Sequence, residues 1–166
     1  MTAPTHQTKL DIRRAKPTEA HELTHLTWAS KAHWGYDEAF MAKARPAMVV
    51  TAESILVNLV YVVEDSSGIL GYYELLPTAT TSKGYLESLF VLPRAIGMGC
   101  GKQLWQHLIQ TAAEHGYTCF EFEADPNAEG FYQHMGAYRI GERASGIVAG
   151  RLLPLMRYDL SHDTPQ

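Results

Sequence analysis

VLPRAIGMGCGKQLW, residues 91–105, sets glycine at 97, 99 and 101, every second position, between an apolar run and an amphipathic one. Upstream, KGYLESLFVLP is rich in strand formers and reads as a β-strand. Downstream, Leu104, Trp105, Leu108, Ile109 and Ala112 recur at helical spacing from about residue 101 to 115, and Gly116 supplies a C-terminal stop. TCFEFEA then begins another strand at once. A strand, helix and strand in that order form a crossover unit whose two strands run parallel. Working outward, NLVYVVE and ILGYYELLP flank Asp65-Ser66-Ser67-Gly68, a hairpin signature, so the neighbouring strands are antiparallel and the sheet is mixed.

The remaining elements extend this sheet. Residues 10–14 alternate as a short strand, and Pro17 opens a helix carrying Ala20, Leu23, Leu26, Thr27 and Ser30 on one face. Gly35 ends that helix, and a second runs from about 37 to 44 before Arg45-Pro46. A short helix at 128–135 has Asp125 or Asn127 as candidate N-cap and Gly136 behind it, and two last strands lie near 138–143 and 152–160. The expected fold class is α/β of the α+β type: a mixed, mostly antiparallel sheet of about seven strands flanked by about four helices. One domain is expected over residues 1–166, with its core at about 10–160.

Composition narrows the function. With 46% hydrophobic and 19% charged residues, the chain can bury a substantial core. Its formal charge of −4 and the lack of a Lys/Arg block argue against nucleic acid, which demands phosphate neutralisation. No apolar stretch is long enough to cross a membrane, and MTAPTHQTK lacks the apolar core of a signal peptide, so no membrane partner and a cytoplasmic location are expected. Cys100 and Cys119 make no metal or disulfide spacing. His21 and His25 lie four apart but have no third ligand, so no metal is expected.

Bare backbone at a strand-to-helix junction admits positive φ and exposes N–H groups to a phosphate. The two common nucleotide loops both fail here. A P-loop requires glycine five residues before Gly101, where Ile96 stands, and Ser or Thr after Lys102, where Gln103 stands. GxGxxG fails because Lys102 follows Gly99 at the third position and Leu104 follows Gly101.

Val91-x-Pro93, Gly97-x-Gly99-x-Gly101-x-x-Leu104, Asn127-Ala128 and Phe131-Tyr132-x-x-Met135-Gly136-Ala137 together resemble the GNAT superfamily of acetyl-CoA-dependent N-acetyltransferases. SKAHWGYD and GRLLPLMRYDL resemble segments of a bacterial subgroup. The resemblance implies acetyl-CoA as acyl donor, its pyrophosphate on the amides from about Gly97 to Lys102. Ile96, Gly97, Met98, Gly99, Cys100, Gly101 and Lys102 thereby become candidate cofactor residues, with Asn127 and Phe131 nearby. It also implies that the pantetheine arm runs beside Leu89, Phe90 and Val91, with main-chain groups of Leu89 and Val91 left free by a splayed strand. Ile96 departs from the family pattern, which usually has Arg or Gln before the first glycine; Arg94 comes two residues too early.

Acyl transfer to an amine needs alignment, a base for the amine and an acid for the leaving thiolate. Tyr132 resembles the family tyrosine beside the cofactor sulfur and is the candidate acid; a core tyrosine with a satisfied hydroxyl is the alternative. Glu87, a carboxylate inside YLESLFV, either accepts the amine proton or sits on a wet strand face. Glu121 and Glu123 alternate with Phe120 and Phe122, as on an exposed face. His33, Trp34 and Tyr36 are candidate acceptor-site residues, unless Trp34 anchors its loop in the core. Cys100, at a helix start, is open to a lowered pKa but has no base at motif spacing.

The expected activity is N-acetyl transfer by direct attack in a ternary complex, with a small molecule's primary amine or a terminal amino group as acceptor. A non-catalytic acyl-CoA-binding module and a transferase of larger acyl groups stay open. So does a homodimer formed through a sheet edge or the C-terminal strands.

Overall fold

A computed structural model describes residues 9–79 and 82–160. Seven strands form one sheet in the order β1-β2-β3-β4-β5-β7-β6, namely β1 (Asp11–Arg14), β2 (Leu59–Asp65), β3 (Gly68–Pro77), β4 (Lys83–Val91), β5 (Cys119–Glu123), β6 (Tyr138–Ala144) and β7 (Leu152–Asp159). Every neighbouring pair is antiparallel except β4 and β5. That one parallel pair is joined by α4 (Cys100–Glu114), the crossover expected from the 91–105 stretch.

The described residues form five α-helices: α1 (Ala20–Ala32), α2 (Glu38–Ala44), α3 (Ala52–Val57), α4 and α5 (Glu129–His134). The count of about four missed α3, six residues whose start is marked by Thr51 and Ser54 capping each other's backbone N–H. A serine in place of the usual Glu or Gln hid that box. Elsewhere the punctuation reads as expected: Gly35 and Gly116 take positive φ at helix ends, Asp37 caps α2, and Asp125, not Asn127, caps the turn leading into α5.

The sheet buries both faces. On one, α4 sets Leu104, Trp105 and Leu108 against Tyr73, Leu75, Leu86, Phe120 and Phe122. On the other, Leu23 and Leu26 of α1 and Ile55 of α3 cover Val60, Val62 and Tyr72. Trp105 is 2% exposed and lies edge-on or tilted to Phe120, Phe122, Tyr132 and Tyr158 at centroid distances of 5.3–5.9 Å. This aromatic cluster joins α4 and α5 to the β5–β7 half of the sheet. Glu121 and Glu123 are not on a free face. They are half-buried in ion pairs, Glu121 with Lys83 at 2.7 Å and Glu123 with Arg143 at 3.1 Å, which is why a charged strand face lies partly covered.

Two irregularities shape the centre. β4 pairs with β5 only through Lys83, Gly84 and Tyr85, after which the strands diverge. The β3–β4 register shifts between Glu74/Ser88 and Leu75/Leu86, leaving Glu87 as an extra, bulged residue. The bulge resets the alternation: Leu86 and, three residues on, Leu89 both pack toward α4, while Phe90 packs toward α1.

Candidate active site

Where β4 and β5 part, a cleft of about 580 Å³ opens through the sheet, within the range of ligand sites. One end is the start of α4. Gly97 and Gly99 hold φ of +86° and +84° with open space where a Cβ would project, so their absent side chains serve conformation. Gly101 serves packing: a Cβ there would stand 3.2 Å from the Phe131 ring of α5. The regular glycine spacing therefore combines two left-handed turn positions with one close approach.

This geometry strips the helix start of partners. Ile96 and Met98 use their N–H groups in turns to Pro93 and Ala95 at 3.2 and 3.1 Å, and Gln103 begins the helical ladder on Gly99 at 3.0 Å. The amides of Gly97, Gly99, Cys100, Gly101 and Lys102 have no acceptor among the described residues, and no side chain caps the helix. Five bare N–H groups at the positive end of a 15-residue helix form a cradle suited to a pyrophosphate. Met98 contributes no free amide and does not line the cleft. Ile96 lines it, 55% exposed, whereas Arg94 turns away to Ser67 at 3.2 Å.

Along the wall, the Leu92 N–H bonds to Leu70 C=O at 2.7 Å. The period of two turns the main-chain groups of Phe90 toward β3 as well, and those of Leu89 and Val91 toward the gap. An extended chain of amides, such as a pantetheine arm, would complete that edge. The Phe90 side chain lines the cleft from the α1 side, 6.1 Å from the Tyr72 ring.

Tyr132 stands across the gap. Its ring is wedged against Phe122 at 4.6 Å and Phe131 at 5.3 Å, and the residue is 8% exposed. Its hydroxyl bonds to no described residue and lines the cleft, unlike a satisfied core tyrosine. Burial, then the nearby Asp125 carboxylate, pushes its pKa far above the ordinary phenol value, so it holds its proton at neutral pH. Cys100 also lines the cleft, but burial raises its thiol, overriding the lowering that a helix start offers.

Glu87 projects from the bulge into the cleft, and its exposure is to the cleft's solvent. Crowding by the walls, then the carboxylates of Glu74 and Glu123, raises its pKa above the usual value, toward that of a useful base. His33 and Trp34 line the same cavity, with Trp34 44% exposed at its mouth and not anchored in the core.

Tyr36 lies outside the cleft lining. Its hydroxyl donates to Asp125 at 2.8 Å and accepts from Asn127 Nδ2 at 3.2 Å and from Arg151, while its ring stacks on Phe40 at 4.1 Å. Lys31 pairs with the same Asp125 carboxylate. Burial would raise Asp125, but Lys31, the Asn127 N–H and Tyr36 outweigh it and hold the carboxyl below its ordinary value. The network ties α1, α2, the β5–α5 turn and the loop before β7 into a rim. Its members are scattered in sequence, so spacing gives no sign that they meet: Tyr36 and Asn127 stand there as site candidates and Asp125 only as a candidate N-cap. Glu74 was also missed, although a glutamate inside ILGYYELLP carries the same signal as Glu87.

Among the described residues no group of three or more His, Cys, Asp or Glu forms a metal site, and no helix is long and apolar enough to cross a membrane. The fold resembles that of a GCN5-related N-acetyltransferase from Rhodopseudomonas palustris, with TM-score 0.73 and 18% identity over 92% of this chain and 97% of that one. It is also similar to the PaiA N-acetyltransferase from Thermoplasma acidophilum, solved with coenzyme A (0.69, 17%, 91% and 99%). The ribosomal-protein-S18-alanine N-acetyltransferase from Escherichia coli matches at 0.69 with 14% identity over 95% and 98% of the two chains. The Acetyltransferase (GNAT) family model matches residues 20–137, which span α1 to α5 and with them the bare helix start, the splayed strands and Tyr132. With sequence match and topology in agreement, this chain belongs to the GNAT family of acetyltransferases.

Proposed function

We propose that the protein transfers an acetyl group from acetyl-CoA to a primary amine, on a small molecule or at a chain terminus, by direct attack in a ternary complex. The observation that carries this reading is the Tyr132 hydroxyl in the same cleft as the five bare amides, none of them partnered among the described residues. Acetyl-CoA supplies the acetyl group as an activated thioester. The amides of Gly97, Gly99, Cys100, Gly101 and Lys102 bind its pyrophosphate, with the Lys102 ammonium adding charge. Leu89 and Val91 hold its arm along β4, and Asn127 and Phe131 close the opposite side. Glu87 accepts the proton of the attacking amine, directly or through a water. As the new C–N bond forms and the C–S bond breaks, Tyr132 gives its proton to the departing thiolate. His33 and Trp34 cover the acceptor, and Tyr36 braces the rim behind them.

Thermal shift with CoA and release of free CoA over an amine panel test this reading together. Stabilisation by CoA with thiol release above background for at least one amine is the expected result. CoA binding with no release for any amine would identify an acyl-CoA-binding module instead, and release only with a longer acyl-CoA would reassign the donor.

Ile96 offers a second test. An arginine there faces the anion cradle from an exposed position, where a charge-assisted bond is worth up to about 1.5–3 kcal/mol before solvent screening. Ile96→Arg is expected to lower the Kd for CoA roughly three- to tenfold in a titration at low salt, with the gain shrinking as salt rises. An unchanged Kd would mean that the cradle has no place for a charge at residue 96.

A further inference from the structure

Beside the main cleft lies a smaller cavity of about 120 Å³ on the α1 side of the sheet. The two share Met48, Glu87, Ser88 and Phe90, so the second opens beside the bulge that carries Glu87. Met48 is fixed there because its carbonyl accepts from Trp28 Nε1 at 3.0 Å. Glu74, only 6% exposed and opposite Ser88 in the β3–β4 register, is part of its lining.

Glu74 is incompletely partnered. One carboxyl oxygen accepts from Asn58 Nδ2 at 2.9 Å. The other oxygen accepts no hydrogen bond, and no lysine, arginine or histidine pairs with this carboxyl among the described residues. The rest of the polar lining does not supply the missing donor. Thr27 Oγ1 donates to Leu23 C=O at 2.7 Å, so in its 2.6 Å contact with Tyr72 the phenol is the donor. The Tyr72 oxygen is then an acceptor, and the Ser88 side chain is hydrogen-bonded to it. Glu74 and Glu87 thus line one small cavity with two carboxylates, beside the Thr27, Tyr72 and Ser88 hydroxyls, which are engaged with Leu23 and with one another. A buried carboxylate is costly unless a cation and further hydrogen bonds accompany it. The complement of this lining is a compact cation with several N–H donors, and an alkylammonium has that shape and charge.

We propose that the smaller cavity binds a second, protonated nitrogen of the acceptor, so that the preferred acceptor is a dibasic alkylamine acetylated at the nitrogen that reaches the main cleft. This rests on the acetyl-transfer reading for turnover, but the subsite itself is a binding claim with its own readout. Glu74 is then a specificity-determining residue, holding one ammonium while Glu87 faces the other nitrogen. The cavity accommodates an ammonium head and a short alkyl stem.

The test compares 1,4-diaminobutane with n-butylamine, which differ by that nitrogen. In wild-type protein kcat/KM for the diamine is expected to exceed that for the monoamine by about tenfold or more, as for a charge-assisted contact. Glu74→Gln keeps the size of the side chain and an oxygen for Asn58, and is expected to collapse that ratio toward unity, with CoA thermal shift confirming its fold. Equal turnover of the two amines by wild type, or a ratio that survives Glu74→Gln, overturns the subsite while leaving acetyl transfer intact. If no amine is turned over, the transferase reading fails separately, and diamine binding to the CoA-loaded protein is read by calorimetry. Binding of 1,4-diaminobutane at least about tenfold tighter than n-butylamine then sustains the subsite, and a smaller difference overturns it. The wild-type comparison decides the matter even if the variant does not fold.

Discussion

Tyr132→Phe is expected to lower kcat for acetyl transfer by roughly 10²–10⁴-fold, the usual contribution of a positioned general acid. The ring is retained, so its contacts with Phe122, Phe131 and Trp105 survive. The hydroxyl that disappears has no described protein partner, so its removal orphans no buried group. Stability and CoA affinity are therefore expected to stay near wild type, and the loss should fall on kcat. Burial raises the folded-state pKa above the ordinary phenol value, so the proton is still present as pH climbs through the neutral range. No alkaline decline of wild-type kcat from this group is expected below about pH 10, the reference phenol value. A kcat within twofold of wild type in the Phe variant would remove Tyr132 from the proton transfer and leave the thiolate to depart unaided.

The largest stability effect is expected at Trp105. Its indole stands among Phe120, Phe122, Tyr132 and Tyr158, where α4 meets the sheet. Trp105→Ala leaves a large cavity and is expected to cost about 3–5 kcal/mol. For a chain of this size that corresponds to a melting temperature lower by roughly 6–20 °C. Trp105→Phe gives a sharper comparison, because Trp105 Nε1 is buried without a hydrogen-bond partner among the described residues. Removing that N–H offsets part of the lost ring volume, so the Phe variant is expected to lose less than half of what the Ala variant loses. Calorimetry or circular dichroism melts measure both. A drop below about 3 °C for the alanine variant would show that the aromatic cluster does not hold the two halves together.

Much of this architecture was legible before the coordinates because local signals agreed with one another. The hairpin at Asp65–Gly68, the amphipathic face of α4 and the glycine stops at residues 35, 116 and 136 each carry a short-range physical cause. The strand, helix and strand succession of β4, α4 and β5 then makes that pair parallel. α3 was missed because six residues give too little periodicity, and its cap uses Ser54 instead of a longer acidic or amide side chain.

The candidate site divides in the same way. Gly97, Gly99 and Gly101 could be named from spacing, because a bare helix start leaves a mark on neighbouring residues, whereas Tyr132 was named through the family resemblance carried by Phe131-Tyr132-x-x-Met135-Gly136-Ala137. The roles within that loop could not be separated by spacing: two glycines answer to positive φ, and Gly101 answers to Phe131, thirty residues away in the chain. Likewise Lys31, Tyr36, Asp125 and Arg151 meet only because three loops converge with the end of α1 on one rim.

By itself, then, the sequence determined the succession of strands along the chain, the β2–β3 hairpin, the crossover helix and the bare backbone at its start, since these follow from periodicity, turn chemistry and backbone freedom within short windows, whereas the place of β7 between β5 and β6 came from the tertiary structure. Tertiary structure alone decided that Glu87 sits on a bulge and that, among the described residues, Tyr132 keeps an unpartnered hydroxyl and Glu74 lacks a cation. Those properties depend on register and on which neighbours are missing, and a pairing that is absent between distant segments leaves no pattern along the chain.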